Sequence, residues 1–166
     1  NVSDGSGTVT CGNVSTVGDN SSGIETYASD GSVSVTCGDV RTEGSGSFGV
    51  SHGSDGLLTL GEVATLGSGS PGVIISSDFG ARADIGGITT SGDDSVGLQA
   101  YSDSVDVAVG QITTTGANSH GIVVESGGEA ALAIGGVSVA GVDADAIKAS
   151  VGSITLDIAG AVSAAE

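Results

Sequence analysis

The chain contains two cysteines, Cys11 and Cys37, 26 residues apart. The segments that end at them, SDGSGTVTC and SDGSVSVTC, align without a gap, so the two thiols are expected at equivalent positions of successive structural units. If adjacent parallel strands carry them, their Cα atoms lie within disulfide range. Two alternatives follow from the spacing, a disulfide or a pair of packed free thiols. A metal site is not expected, because no third or fourth ligand recurs near them.

Five aspartates follow a serine at similar intervals and are expected to form an acidic column along one edge of the fold. They are Asp4, Asp30, Asp55, Asp78 and Asp103. Two interpretations are open: solvent and salt screen these charges, or Ca²⁺ bridges some neighbouring carboxylates. The calcium-binding nonapeptide pattern GGxGxDxUx is absent, which argues against the second. No other cofactor is predicted.

Catalytic chemistry has little support in the residues. Glycan-cleaving sites need paired carboxylates, or carboxylates beside a base, on one surface. The only Lys and Arg residues, Arg41, Arg82 and Lys148, are scattered. Arg82 falls in the same outward row as Asp106, which predicts an ion pair between neighbouring coils. His52 falls in an inward row, with no nucleophile at a readable spacing. The sequence therefore predicts a protein that is not an enzyme.

These residues belong to a repeat of about 25 residues, which is the length of one coil of a parallel β-helix. The first complete unit runs from Gly12 to Cys37, and later units begin at Gly38, Gly61, Gly86, Gly110 and Gly135. Each unit contains three alternating runs separated by glycine-rich corners. The sequence predicts an all-β, right-handed parallel β-helix with three short strands per coil and about six and a half coils, as one solenoid over residues 1–166.

Alternation within the runs assigns their faces. Rows that begin at Val14 and Thr16 in the first run, Ile24 in the second, and Val35 and Cys37 in the third should point inward. The corner glycines that begin at Gly12 and Gly18 are expected to adopt positive φ. Two sets of residues are expected to face outward: the corner column Phe48, Pro71, Val96 and His120, and the outer-row residues Ile74 and Val123. They could form a lateral contact ridge, which packs solenoids side by side or binds a target surface. The alternative is that they are ordinary surface.

The net charge of −17 excludes nucleic acid and anionic membrane surfaces as partners, because both would be repelled. The chain has no apolar run long enough to insert in a membrane and no signal peptide at its start. It begins and ends inside repeat units, so we expect a slice of a longer solenoid, with neighbouring coils or other copies covering both ends.

Units of the form GxVxTxGxxSxGIxVxSxGxVxVxxG, as in GQITTTGANSHGIVVESGGEAALAIGGVSVAG, resemble the passenger segments of autotransporter proteins of Gram-negative bacteria. The resemblance covers the whole chain, but the family's translocating β-barrel and signal peptide are missing. It implies an extracellular stalk or adhesin segment at the bacterial cell surface, which contacts a host or matrix surface, and it transfers no catalytic residue. The alternatives are the protomer of an extracellular filament assembled end to end by β-augmentation and, third, a polysaccharide-active enzyme.

Overall fold

The structure is a computed structural model that describes residues 5–29 and 31–165. Those residues form strands and turns, and none of them belongs to a helix that could span a membrane. The strands are β1 (Gly7–Thr10), β2 (Val14–Val17), β3 (Ile24–Tyr27), β4 (Val33–Thr36), β5 (Val40–Glu43), β6 (Val50–Gly53), β7 (Leu57–Leu66), β8 (Val73–Ser76), β9 (Ala81–Ser91), β10 (Leu98–Ser102), β11 (Val105–Thr115), β12 (Ile122–Ala140), β13 (Ile147–Ile158) and β14 (Val162–Ala164).

Every strand pairs in parallel with the equivalent strand of a neighbouring coil, at offsets of 23 to 26 residues. The predicted all-β solenoid is therefore confirmed, with about six turns of about 25 residues. Each coil has three faces. The first face contains residues 14–17, 40–43, 63–66, 88–91, 112–115, 137–140 and 162–164; the second contains 24–27, 50–53, 73–76, 98–102, 122–126 and 147–151; the third contains 7–10, 33–36, 57–60, 81–85, 105–109, 130–134 and 154–158.

The inward rows predicted from alternation form one continuous core. Buried residues of these rows include Val40, Val63, Ile88 and Ile112 on the first face, Val50, Val73, Leu98 and Ile122 on the second, and Val35, Leu58, Val107 and Leu132 on the third. Coils in the middle of the stack are covered above and below. Equivalent residues of the last coil, such as Ile154 and Leu156, remain 43% exposed.

A ladder of buried serines, which the sequence analysis did not identify, closes the corner between the first and second faces. Ser70 illustrates it: its hydroxyl accepts a hydrogen bond from the Ser47 N–H (3.1 Å) and donates one to the Gly44 carbonyl (3.0 Å). Thr65, an inward residue of the first face, donates to the Ser70 carbonyl (2.7 Å). Ser47, Ser95 and Ser119 repeat these contacts in their own coils. The ladder satisfies backbone groups that would otherwise be buried without partners.

The same corner contains a tight turn, and the residue at its third position has the left-handed backbone conformation. Asn20, Gly46, Gly69, Asp94, Asn118 and Asp143 occupy it, with φ between 54° and 67°. Gly, Asn and Asp are the residue types that tolerate this conformation best. Acidic residues just before this position also bond to the next coil, because Asp19 accepts from the Ser45 N–H and Asp93 from the Ala117 N–H, both at 2.8 Å. The carboxylates of Asp19 and Asp93 therefore have structural partners.

Glycines at the corners serve two different purposes. The row that begins at Gly18 has positive φ as predicted, from 119° to 153°, in Gly18, Gly44, Gly67, Gly92 and Gly116, but not in Gly141. The prediction was wrong for the row that begins at Gly12, since none of those glycines has positive φ. From Gly38 onward a Cβ there would instead press on the preceding coil; at Gly135 it would lie 2.8 Å from the Gly110 carbonyl oxygen. Close approach between coils, rather than chain reversal, selects that row.

A third glycine row is packed still more tightly. At Gly23, Gly49, Gly72, Gly97 and Gly121, a Cβ would lie 2.5–2.6 Å from the carbonyl oxygen of the next coil. It would also lie 2.5–2.8 Å from an inward Val or Ile methyl group of the first face. Real Cβ atoms do not make such contacts, so only glycine fits.

His52 lies in the inward row of the second face, as predicted, and is 1% exposed. Its Nδ1 is 2.8 Å from Thr26 Oγ1 and its Nε2 is 3.2 Å from the Gly56 carbonyl oxygen. Because that carbonyl can only accept, the neutral ring carries its proton on Nε2 and accepts from the Thr26 hydroxyl at Nδ1. Burial lowers the pKa of His52, and the hydrogen bond to Gly56 opposes this in part.

Replacing Ser70 by alanine tests the serine ladder. The change leaves the Ser47 N–H and the Gly44 carbonyl without their partner, and we expect the free energy of unfolding to fall by about 1–3 kcal/mol. Ser68→Ala, at an exposed position of the same corner, should change it by less than about 0.5 kcal/mol. Urea denaturation followed by circular dichroism measures both. Equal losses of unfolding free energy in the two variants would contradict a stabilising role for the serine ladder.

His52 should make the fold sensitive to acid. Its pKa in the folded chain lies below the ordinary 6.5, so the unfolded chain binds more protons as the pH falls through that value. The stability associated with neutral His52 is full above about pH 6.5 and is progressively lost below it. We expect His52→Val to flatten the pH dependence of the free energy of unfolding between pH 8 and 5. His120→Asn, which alters a partly exposed histidine, should leave the pH dependence nearer to that of the native chain. Identical profiles for the native chain and His52→Val would refute this role.

Candidate functional site

The two cysteines are joined by a disulfide between successive coils. Their Cα atoms are 4.6 Å apart. Each cysteine follows a third-face strand, and the Cys11 N–H and Cys37 N–H donate to carbonyls of the next coil at 3.0 Å. Cys37 is buried in the core, whereas Cys11 is half-buried near the start of the stack. The bond therefore ties the first coil to the second.

The acidic column is only partly within the described residues, because Asp4 and Asp30 lie outside them. Asp55 is half-buried and accepts a hydrogen bond from the Phe79 N–H at 3.2 Å, while Asp78 and Asp103 are exposed. Among residues 5–29 and 31–165, no three Cys, His, Asp or Glu side chains are grouped closely enough to hold a metal ion. Calcium binding by this column stays a prediction without a formed site to support it.

A groove of about 540 Å³ runs across the second face beside this column. Tyr27 and Tyr101, the only tyrosines of the chain, stand in the same outward row three coils apart. Between them the row contains Gly53 and Ser76. Because these residues are small, they form a low floor of the groove between the two tyrosine rings. The Tyr27 ring leans over Gly53, since a Cβ on that glycine would lie 3.0 Å from Tyr27 Cδ2. The sequence analysis missed this groove.

The groove is electronegative. Glu25, Asp55, Asp78 and Asp103 line it, and neither Lys nor Arg does. Burial, with the negative charge of neighbouring Glu125, raises the pKa of Tyr101, so its phenol is neutral at physiological pH. A cationic or uncharged ligand is therefore compatible with the groove, and an anionic one is repelled.

The few cations of the chain lie elsewhere. Arg41 pairs with Glu43 of its own strand at 2.8 Å. Arg82 is in register with Asp106, as the sequence indicated. No ion pair joins those two side chains in the described structure, so the prediction of a bridge between coils was wrong.

Two of the six residues predicted for the lateral contact ridge are packed within the stack. Val96 and Val123 are buried, at 7% and 9% exposure, and cannot present a contact surface. Phe48, Pro71, Ile74 and His120 are half-buried. Aromatic side chains with greater exposure lie elsewhere, at Tyr27 (58%) and Phe79 (75%). Stacking of equivalent residues explains the difference, because each side chain in a row covers the one below it.

Comparison of the chain with protein-family models, with curated proteins and with solved structures found no match. No family is therefore assigned. The features available to a function are the stacked rod, its disulfide, its two end coils and the tyrosine-walled groove.

The disulfide should be detectable directly. Protein purified without reductant should show a mass lower by two hydrogens than the reduced chain and no reactive thiol. The double variant Cys11→Ser/Cys37→Ser should lose about 2–4 kcal/mol in the free energy of unfolding, and reductant should lower the native chain to the same level. Hydrogen exchange should locate the loss in the first two coils. Two titratable thiols in the oxidised preparation would contradict the pairing.

Proposed function

We propose that this chain is a non-catalytic stalk segment of a bacterial cell-surface protein, which displays weak multivalent contacts along its faces. The observation that carries the proposal is the uninterrupted stack of equivalent coils. At the strand spacing of about 4.8 Å, six coils make a rod roughly 30 Å long. Such a rod holds its two ends at a fixed distance and presents equivalent faces in every coil. These properties suit a spacer between an anchor and a surface.

An extracellular location is supported by the disulfide and the repeat style. Disulfides persist in oxidising compartments and are rare in reducing cytosol. The bond between Cys11 and Cys37 links adjacent coils without distorting their register, as a stabilising bond of a secreted protein would. The resemblance of the repeat to autotransporter passengers points in the same direction. The strong negative charge favours repulsion between copies and from anionic membranes.

The absence of catalysis is supported by the surroundings of the titratable groups. His52 is enclosed, and both its ring nitrogens have partners within the core. The groove places carboxylates near serine hydroxyls, but its lining contains no His, Lys or Arg to complete a Ser–His or Ser–Lys arrangement. Reducing-end assays on a panel of neutral and acidic polysaccharides should show no cleavage. Turnover of any of them, lost in Asp78→Asn, would establish the enzyme alternative instead.

The two ends of the stack are the natural contact points for further coils or other copies. β1, β2 and β3 at one end, and β13 and β14 at the other, each have one strand partner in the described structure. Such edges recruit further strands. The last coil also departs from the repeat, because Val139, Ala144 and Ala146 stand where earlier coils have Thr, Ser and Gly.

A filament assembled end to end is the second candidate. The exposed core residues Ile154, Leu156 and Val162 on the last coil favour it, because another copy could cover them. Ala146 opposes it. In the earlier coils, a Cβ at this position would lie 2.5–2.6 Å from the carbonyl of the coil above, so a further coil cannot approach Ala146 at the normal spacing.

Negative-stain electron microscopy over a range of protein concentrations separates these candidates. The stalk proposal predicts short single rods at all concentrations, with or without calcium. Ala146→Gly, which restores the repeat, should increase end-to-end association, whereas Ala144→Ser should not. Long filaments of the native chain with a regular axial repeat would overturn the stalk proposal in favour of the fibre protomer.

Surface location needs a separate experiment. Antibodies against the purified chain should label intact producing cells, and external protease should remove the label. Labelling only after permeabilisation would contradict the extracellular part of the proposal.

A further inference from the structure

We propose that the tyrosine-walled groove of the second face binds a linear organic polyamine, with ammonium groups separated by three or four methylenes. The groove is the one bounded by Tyr27 and Tyr101 and edged by Asp55, Asp78 and Asp103. This binding site is independent of the stalk role, and either can hold without the other.

The walls and floor define the shape of the ligand. The two tyrosines are separated by three rungs, or about 14 Å at 4.8 Å per rung. The low floor at Gly53 and Ser76 leaves an open trough between the rings. A slender, extended molecule fits a trough of this form, whereas a branched or globular group does not fill it. Its methylene segments can lie on the floor while the rings flank its ends.

The rings and carboxylates define the charge of the ligand. Aromatic faces attract ammonium groups, and Tyr27, 58% exposed, is available for such a contact. In the described residues the side chains of Asp78 and Asp103 have no hydrogen-bond donor or salt-bridge partner within the protein. The aspartates stand one rung apart, so their spacing of about 4.8 Å is close to that of ammonium groups joined by three methylenes in an extended chain. Polyamine nitrogens can therefore meet successive carboxylates in register.

The same geometry disfavours a divalent metal. Ca²⁺ requires six to eight oxygen ligands at 2.3–2.6 Å around one point, as a general property of the ion. The groove distributes its carboxylates along a line, and no metal-holding group forms among the described residues. A ligand with charges distributed along its own length matches that line better than a point charge does.

Isothermal titration calorimetry with spermidine at physiological salt tests the proposal, because salt screens diffuse attraction to an acidic protein. The native chain should bind one spermidine per groove. Asp78→Asn/Asp103→Asn should weaken binding at least about tenfold, since each aspartate contributes a charge-assisted hydrogen bond to the ligand. The control Asp106→Asn/Asp157→Asn removes the same charge from the exposed third face and should weaken it less than about twofold.

The tyrosines supply a second readout. Tyr27→Leu/Tyr101→Leu should weaken binding about threefold to tenfold, and Tyr27→Phe/Tyr101→Phe, which keeps the rings, should retain most of it. The chain has no tryptophan, so its tyrosine fluorescence should also change on titration of the native protein.

Three results would overturn the proposal. The first is no saturable heat with spermidine at physiological salt. The second is equal weakening in the groove and control aspartate pairs, which would indicate general attraction to an acidic chain. The third is groove-dependent binding of Ca²⁺ or a lysine-rich peptide in preference to spermidine, which would assign the groove to a different ligand. Circular dichroism of each variant verifies that its fold is intact.

Discussion

The fixed distance between coils is the constraint on which the rest of the structure depends. Parallel hydrogen bonds hold each strand about 4.8 Å from its equivalent in the next coil, in register along all three faces. Each residue therefore touches the residue at the same position one repeat away, and the sequence has to be compatible with itself at every row. Glycine, serine, valine and alanine dominate because small or β-branched side chains can stack on copies of themselves at this spacing.

The same constraint determines how polar groups enter the interior. A buried hydroxyl in one coil has a buried hydroxyl above and below it, so the Thr and Ser rows can form continuous hydrogen-bonded ladders. The last coil replaces both members together, with Val139 for threonine and Ala144 for serine. The two replacements are independent of each other, because in the earlier coils the threonine hydroxyl donates to the serine backbone carbonyl, which alanine keeps. His52 is the exception that the fold accommodates, by giving both ring nitrogens a partner.

The period and the alternation were enough to predict the solenoid, its single core and the inward position of rows such as Val40 and Leu58. They were not enough for the corners. Ser70 resembles a loop residue in sequence, and only the contact with the coils on either side shows that it is buried. The sequence also attributed the row of Gly38 to turn geometry, whereas contact with the preceding coil is the reason.

The groove shows the same limitation at the surface. Tyr27 and Tyr101 are far apart in the chain and share a row only after three repeats are superimposed, and their role depends on the small residues between them. The aspartate column was recognised because aspartate recurs at nearly every repeat. The groove is formed by tyrosine, glycine, serine and tyrosine at successive positions of one row. No residue type recurs from coil to coil in that row, so the sequence carries no repeated pattern that marks the groove. In the predicted contact ridge, stacking buries Val96 and Val123, whereas the other four candidates stay partly exposed.

The free energy of unfolding of Gly72→Ala, compared with Gly69→Ala, tests the spacing constraint most directly. A Cβ on Gly72 would lie 2.5 Å from Ile88 Cγ2 and 2.6 Å from the Gly97 carbonyl oxygen, whereas one on Gly69 would meet nothing within 4 Å. Gly69 has φ of 63°, so alanine there should be destabilising by about 1–2 kcal/mol through backbone strain alone. We predict a loss of more than about 3 kcal/mol, or failure to fold, for Gly72→Ala. A loss for Gly72→Ala no larger than that for Gly69→Ala would contradict the stacked spacing.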